Sequence, residues 1–226
     1  MKNRVVVIIP AYNEEKTLGK VLREVVKYVN LVIVIDDGSN DNTVEKVKHK
    51  KIILLKHIIN LGQGAALQTG FEFAREINAD IVVTFDADGQ FRPSQIKRLI
   101  KPIVKGKADV VLGSRFLGRV KNIPQLRLAI LKLGIFFTWF FSRISLSDTH
   151  NGFRAFNKYA YTLMDIKHNR WAHPSDIIFQ ISKNHFRVVE VPVDVNYTKY
   201  SLGKGQRNIE ALKIPFQLIS RALLET

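Results

Sequence analysis

Four runs of β-branched residues, Arg4 to Ile9, Leu31 to Ile35, Lys51 to His57 and Asp80 to Phe85, are separated by stretches of helical periodicity at Glu14 to Tyr28, Asn42 to Lys48 and Gly64 to Glu76. The order is βαβα. Val and Ile continue through these runs almost without interruption, so the strands lack the polar face of a half-solvated sheet and must be covered on both sides. A mostly parallel sheet between two helix layers meets that requirement. A fifth run, Ala108 to Leu112, follows a helix opened by Pro93 and Ser94. The first half of the chain is therefore predicted to be a doubly wound α/β unit.

After Gly118 the pattern changes to a long basic and aromatic segment, a Gly and Arg turn at 152–154, a helix around Asp176 to Lys183 and a strand at Phe186 to Val193. Tyr197 to Arg207 reads as a flexible loop, and Ile209 to Leu224 as a closing amphipathic helix bent at Pro215. A chain of 226 residues suits one domain with a substantial core. Cys is absent, which excludes disulfides, thiolate metal sites and cysteine nucleophiles and fits a reducing, cytoplasmic setting.

In an open parallel sheet, ligands bind beyond the carboxyl ends of the strands. Here those positions are polar: Pro10, Tyr12, Asn13 and Glu14 after the first strand, Asp36, Asp37 and Gly38 after the second, and Asp86, Asp88, Gly89 and Gln90 after the fourth. Asp86 and Asp88, flanking Ala87, suit a hard divalent cation that keeps positions open for phosphate oxygens. An isolated Asp-x-Asp is more often a turn and a helix cap, but a place directly after a buried strand favours the ligand role. Asp36 and Asp37 read equally as a turn or as acceptors for a ribose hydroxyl or a base imide. Asn60 to Gly64 opens a helix with small residues that let a ligand approach the backbone. Neither Gly-x-x-x-x-Gly-Lys-Ser/Thr nor Gly-x-Gly-x-x-Gly is present, which removes support for kinase-like and dehydrogenase readings.

Seven ordered segments, Ile8-Ile-Pro-Ala-Tyr-Asn-Glu-Glu15, Val34-Ile-Asp-Asp-Gly-Ser39, Asn60-Leu-Gly-Gln-Gly-Ala-Ala66, Phe85-Asp-Ala-Asp-Gly-Gln90, Leu112-Gly-Ser-Arg115, Asn151-Gly-Phe-Arg154 and Val189-Glu-Val-Pro-Val193, together resemble family 2 glycosyltransferases of the GT-A fold. The nearest branch is that of dolichol-phosphate mannose synthases and polyprenyl-phosphate glycosyltransferases. The resemblance implies a nucleotide-sugar-binding half over residues 1–118 and an acceptor and membrane-facing half over 119–226. Pro10, Tyr12, Asn13, Glu14, Asp36, Asp37, Gly64, Asp86, Ala87 and Asp88 would line the site of a UDP- or GDP-sugar. Asp88 and Gln90 would hold Mg²⁺ or Mn²⁺, and Arg115, Arg127, Arg154, Lys204 and Arg207 would meet donor or acceptor phosphates. Asp148 to Arg154 departs from the family's acceptor-side turn in having Asn151-Gly152 where many members have Ser-Gly, and Gln63 stands where a basic residue is common.

Inverting transfer to a polyprenyl phosphate needs no general base, because the acceptor oxygen is already ionised at neutral pH. A sugar hydroxyl acceptor would need one, and Asp176 lies near where sugar-accepting relatives place it. Ser175 or Asp176 serves equally well as a helix cap there. The net charge of +15 and pI near 10.0 call for an anionic environment: nucleic acid, anionic lipid or phosphorylated substrates. Basic residues are spread along the chain without an aromatic-interleaved motif, which disfavours a nucleic-acid binder. The segment Leu126 to Leu146, with Phe136, Phe137, Trp139, Phe140, Phe141 and basic residues near its ends, suits a helix lying in lipid headgroups on the inner face of a membrane, although a buried helix would use the same aromatics. With no further apolar spans after it, the protein would be peripheral or depend on a membrane protein partner.

Overall fold

A computed structural model describes residues 3–167 and 173–204, excluding the side chains of Phe137, Phe141, Lys199 and Lys204. Trp171, Arg207 and the expected helix Ile209 to Leu224 lie outside the described residues, as does the side chain of Lys204. A seven-stranded sheet forms the centre: β1 (Val5–Ala11), β2 (Leu31–Asp36), β3 (Ile52–Lys56), β4 (Ile81–Thr84), β5 (Val110–Ser114), β7 (Arg154–Asn157) and β8 (Val188–Pro192), in the order β3-β2-β1-β4-β7-β5-β8. Every pairing is parallel except those of β7, which runs antiparallel between β4 and β5. A short parallel pair, β6 (Val120–Lys121) with β9 (Val195–Asn196), stands apart. The expected mostly parallel α/β sheet is thus present.

The uninterrupted apolar runs have the predicted cause. Val5, Val7 and Ile9 enter one core with α1 (Leu18–Val25) and α3 (Ile96–Val104), while Val6 and Ile8 enter a second core with α2 (Gln63–Glu76), α5 (Lys158–Leu163) and α6 (His173–Lys183). Period-two alternation therefore sends successive side chains into two dry layers instead of one dry and one wet. Gly70 on α2 is where helix and sheet come closest: a Cβ there would lie 2.4 Å from Ile8 Cγ2 and 3.1 Å from Ile35 Cδ1. Gly70→Ala recovers about 1 kcal/mol of helix propensity, but overpacking costs about 1–3 kcal/mol. A net loss of about 1 kcal/mol is expected in urea unfolding.

Several boundaries differ from the sequence reading. The first helix starts at Leu18, not Glu14, because Glu14 to Thr17 form a turn whose polar groups are used elsewhere. Asn42 to Lys48 gives only a single 3₁₀ turn, Val44–Lys46, since Thr43 is buried and bonded to the Glu14 amide. The Gly and Arg turn at 152–154 leads straight into β7. Part of the loop expected from Tyr197 to Arg207 is helical, α7 (Lys199–Lys204). The remaining helix, α4 (Gln125–Ser142), ends at Arg143 in the left-handed region at φ 58°. No helix among the described residues is long and apolar enough to cross a membrane.

Candidate active site

Strand order reverses at β1, whose neighbours β2 and β4 lead to opposite sides of the sheet. The crevice beyond its carboxyl end is the place where such sheets bind ligands, and it gathers the end of β1, the end of β2 and the turn after β4. Tyr12 is 41% exposed there. Asn13 takes a left-handed backbone at φ 54°, its amide donating to Ser39 Oγ at 2.9 Å and its Oδ1 accepting from the Asn40 amide at 2.8 Å. Glu14 is buried. Its amide donates to Thr43 Oγ1 at 2.7 Å, and its carboxylate accepts from Thr17 Oγ1 at 2.7 Å and from the Tyr200 hydroxyl at 2.9 Å. Tyr200 also donates to Asn13 O at 3.3 Å, and burial followed by the Glu14 charge pushes its phenol above its ordinary range.

The two neighbouring acids after β2 separate in role. Asp36, 4% exposed, accepts from the Ser39 amide at 3.3 Å. Asp37 accepts from His57 Nδ1 at 2.7 Å and from the amides of Leu61 and Gly62 at 3.0 and 2.7 Å. It holds the segment that delivers α2, with Gly64 buried in its first turn. This network commits the Asp37 carboxylate to shaping the crevice wall.

Asp86 and Asp88 sit on the turn after β4, and Ala87 between them is buried in the first core. Gln63 Nε2 donates to Asp86 Oδ1 at 3.0 Å. Gly152 packs so close that a Cβ on it would lie 2.4 and 2.7 Å from the two Asp86 oxygens, and its carbonyl accepts from Thr84 Oγ1 at 2.6 Å. Asp88 accepts from the Gln90 amide at 3.0 Å and from Gln90 Nε2 at 2.6 Å. Burial raises the Asp86 carboxyl above its usual range, opposed by the charge of Arg154 and the Gln63 bond. Burial first, then the Asp86 charge, pushes Asp88 up to about 7. Two carboxylates that resist ionising side by side are a place where a cation lowers the energy. Among the described residues no group of three or more acidic or histidine side chains forms a closed cage. The two carboxylates, with the Gln90 carboxamide beside Asp88, suit a hard cation that would complete its shell with substrate oxygens.

On the acceptor side, Arg115 is 5% exposed. Its Nε donates to Asp148 Oδ2 at 2.6 Å, Nη2 to His150 O at 2.9 Å and Nη1 to the Tyr197 hydroxyl. Arg127, near the start of α4, stacks over the Tyr197 ring at 5.1 Å. Arg154 is buried on β7: Nη2 donates to Thr149 O at 3.3 Å, Nη1 has no hydrogen-bond partner, and burial lowers its pKa to about 10 against the charges of Asp86 and Asp148. Asp176 is 0% exposed in the first turn of α6, accepting from the Lys167 amide at 2.9 Å and Gln180 Nε2 at 3.2 Å.

The family model described as glycosyl transferase family 2 matches residues 6–163, which span β1 through α5. The chain belongs to that family. Over 94% of its length this glycosyltransferase is 34% identical to the UDP-N-acetylglucosamine–dolichyl-phosphate N-acetylglucosaminyltransferase of Methanococcus voltae, covering 93% of that protein. It is 30% identical to the undecaprenyl-phosphate mannosyltransferase of Micrococcus luteus over 90% of this chain and 87% of that one. Glucosyl-3-phosphoglycerate synthase from Mycobacterium tuberculosis, crystallised with Mn²⁺, uridine diphosphate and glucosyl-3-phosphoglycerate, superposes with a TM-score of 0.76 at 17% identity, covering 98% of this chain and 79% of that one. It shares the fold.

In this glycosyltransferase the crevice brings together the ends of β1 and β2 and the Asp86 to Gln90 turn. Arg115 and Arg127 meet at Tyr197. Asp176 joins a separate buried network with Lys167 and Gln180. Sequence reasoning missed Tyr197, Tyr200, Thr43 and Gly152 as site-forming groups. Only Gly152 carried a signal, as the small residue inside the Asn151-Gly-Phe-Arg154 motif.

Proposed function

We propose that this glycosyltransferase moves a sugar, with inversion, from a UDP- or GDP-sugar to a polyprenyl phosphate at a membrane surface, and that it requires Mg²⁺ or Mn²⁺. The paired carboxylates of Asp86 and Asp88 at the switch between β1 and β4 carry this reading. Asp88 and Gln90 would hold the metal, which when bound neutralises the charge gathering on the leaving nucleotide diphosphate. Tyr12, Asn13, Glu14 and Asp36 would receive the nucleotide, and Asp86, braced by Gln63 and Gly152, would face the ribose and the donor sugar. The acceptor phosphate would approach from the Arg115 and Arg127 side and attack the anomeric carbon in line. Both relatives are named for a lipid phosphate acceptor, which supports a lipid phosphate as acceptor here.

Full burial of Asp176 supports the phosphate acceptor over a sugar hydroxyl, since a general base has to come within hydrogen-bond reach of the proton it removes. Thermal stabilisation by a panel of nucleotide sugars, UDP-N-acetylglucosamine first, tests the donor half of the reading. A shift with one nucleotide family, present in Mn²⁺ and lost in chelator, is expected; equal shifts with and without metal would overturn the metal assignment.

The membrane half is supported by α4. Leu126, Leu133, Phe136, Trp139 and Phe140 are 42–60% exposed on it, while Thr138 and Ser142 face inward. This polarity is the inverse of a water-facing helix and matches one that lies in headgroups, with the +15 chain drawn to anionic lipid. Each large apolar side chain contributes about 1.5–3 kcal/mol when buried. Phe136→Glu with Trp139→Glu is therefore expected to cut flotation with phosphatidylglycerol vesicles at least tenfold and to leave nucleotide binding unchanged.

A further inference from the structure

Tyr197 follows β9, is 2% exposed, and touches both arginines assigned above to the acceptor phosphate. Its hydroxyl accepts from Arg115 Nη1, and its ring carries the Arg127 guanidinium at 5.1 Å. Its own backbone is pinned, the amide donating to Lys121 O at 3.2 Å and the carbonyl accepting from Asn122 Nδ2 at 3.5 Å. One rigid aromatic side chain is therefore the common support of two cations that come from different elements, the end of β5 and the start of α4.

The hydrogen-bond inventory shows what this support does. A guanidinium has five N–H donors, and Arg115 spends donors on Asp148, His150 O and Tyr197 from all three of its nitrogens. Its plane is thereby fixed, and its remaining N–H groups point in set directions. Arg127 gains a flat surface that restricts its rotamers at little cost in charge. Fixing both groups before the ligand arrives lowers the entropy lost on binding.

We propose that Tyr197 is a positioning residue for the acceptor phosphate: its hydroxyl orients Arg115 and its ring carries Arg127, so that two guanidinium groups are presented to one phosphate. The proposal rests on the phosphate-acceptor reading above. Three residues further on, Tyr200 is bonded to Asn13 and Glu14 on the donor side. Donor affinity consequently serves as the control for general disturbance of this segment.

The test uses the full chain and farnesyl phosphate as probe, with farnesol as its uncharged counterpart, titrated against wild type, Tyr197→Phe and Tyr197→Leu. Tyr197→Phe, which keeps the ring and removes the hydroxyl, is expected to weaken farnesyl phosphate binding about tenfold, and Tyr197→Leu about fiftyfold. Affinity for the nucleotide sugar should stay within about twofold in both. Arg127→Ala should weaken binding more in the Phe background than in the Leu background, because the ring that carries Arg127 is kept in the first and lost in the second. Farnesyl phosphate binding equal to wild type in both variants, with donor binding intact, overturns the role of Tyr197. Proportional loss of donor and farnesyl phosphate binding also overturns it, since that marks a packing residue. If wild type does not distinguish farnesyl phosphate from farnesol, the phosphate-acceptor reading itself fails and takes this proposal with it.

Discussion

Asp88→Asn is expected to lower kcat/KM about 10³-fold while making the metal-free protein more stable in mild alkali. The loss of activity follows from the proposed role of Asp88, since the variant would lack a charged donor to the metal where the leaving diphosphate would gather charge. The gain in stability follows from the raised proton affinity of Asp88. Its carboxyl titrates at about 7 in the folded chain against an ordinary value of 3.8, so the folded state binds the proton more tightly than the unfolded state does. Stability from this group is complete below about pH 4 and is lost as pH rises toward 7. Asn carries no charge and escapes the loss. Urea unfolding in chelator should show the variant ahead at pH 8, with the advantage gone near pH 4. Saturating Mn²⁺ should reverse the ranking at pH 8, because the cation binds only the carboxylate form. A variant that unfolds earlier than wild type in chelator at pH 8 would mean that the two acids are not in electrostatic conflict.

Gly152→Ala should disable the enzyme through one methyl group. A Cβ at this position falls 2.4 and 2.7 Å from the Asp86 oxygens, well inside contact distance. Asp86 is braced from the other side by Gln63, and the Gly152 carbonyl is tied to Thr84, so the carboxylate must move by something near 1 Å. Misplacement on that scale costs about 10²-fold in rate. The glycine has no left-handed backbone to satisfy, since among the described residues the positive-φ glycines are Gly38, Gly62, Gly89 and Gly106. Its function is therefore room for Asp86. The expected result is a kcat about 10²-fold lower with a thermal midpoint within a few degrees of wild type. Unchanged kcat would remove Asp86 from the reacting region.

Strands β1, β2, β4 and β5 could be read from the sequence because burial on both faces leaves long Val and Ile runs, and the half-buried edge strand β3 keeps such a run as well. The four residues of β7 could not. Arg154-Ala-Phe-Asn157 has no such run, and it is a strand only because it fills the gap between β4 and β5 in antiparallel register. Helix α1 was overextended for a related reason: Glu14 has helical propensity, but its amide and carboxylate are claimed by Thr43 and Tyr200. Local preference yields where tertiary bonds use the same groups.

The same division applies to the site. Asp86 and Asp88 could be singled out as candidates because they follow a recognisable strand. Asp36 and Asp37 look alike in sequence, and only the fold reveals that Asp37 is occupied by His57, Leu61 and Gly62. Asp176 could be read as a base or as a cap, and only the fold reveals that it is buried beside Gln180. Tyr197 and Tyr200 reach partners 82 and 186 residues away. No local pattern marks such contacts.

Transfer of a sugar to a lipid phosphate with help from a divalent cation is the activity proposed for this chain. Its most direct test is incubation of the purified chain with a radiolabelled nucleotide sugar chosen from the binding panel and undecaprenyl phosphate in detergent, with undecaprenol alongside, in Mn²⁺ or chelator. Label is expected in the organic phase only with the phosphate and only with Mn²⁺, released by mild acid as a glycosyl phosphate is. Label transferred to undecaprenol or to added saccharides, or full transfer in chelator, would contradict it.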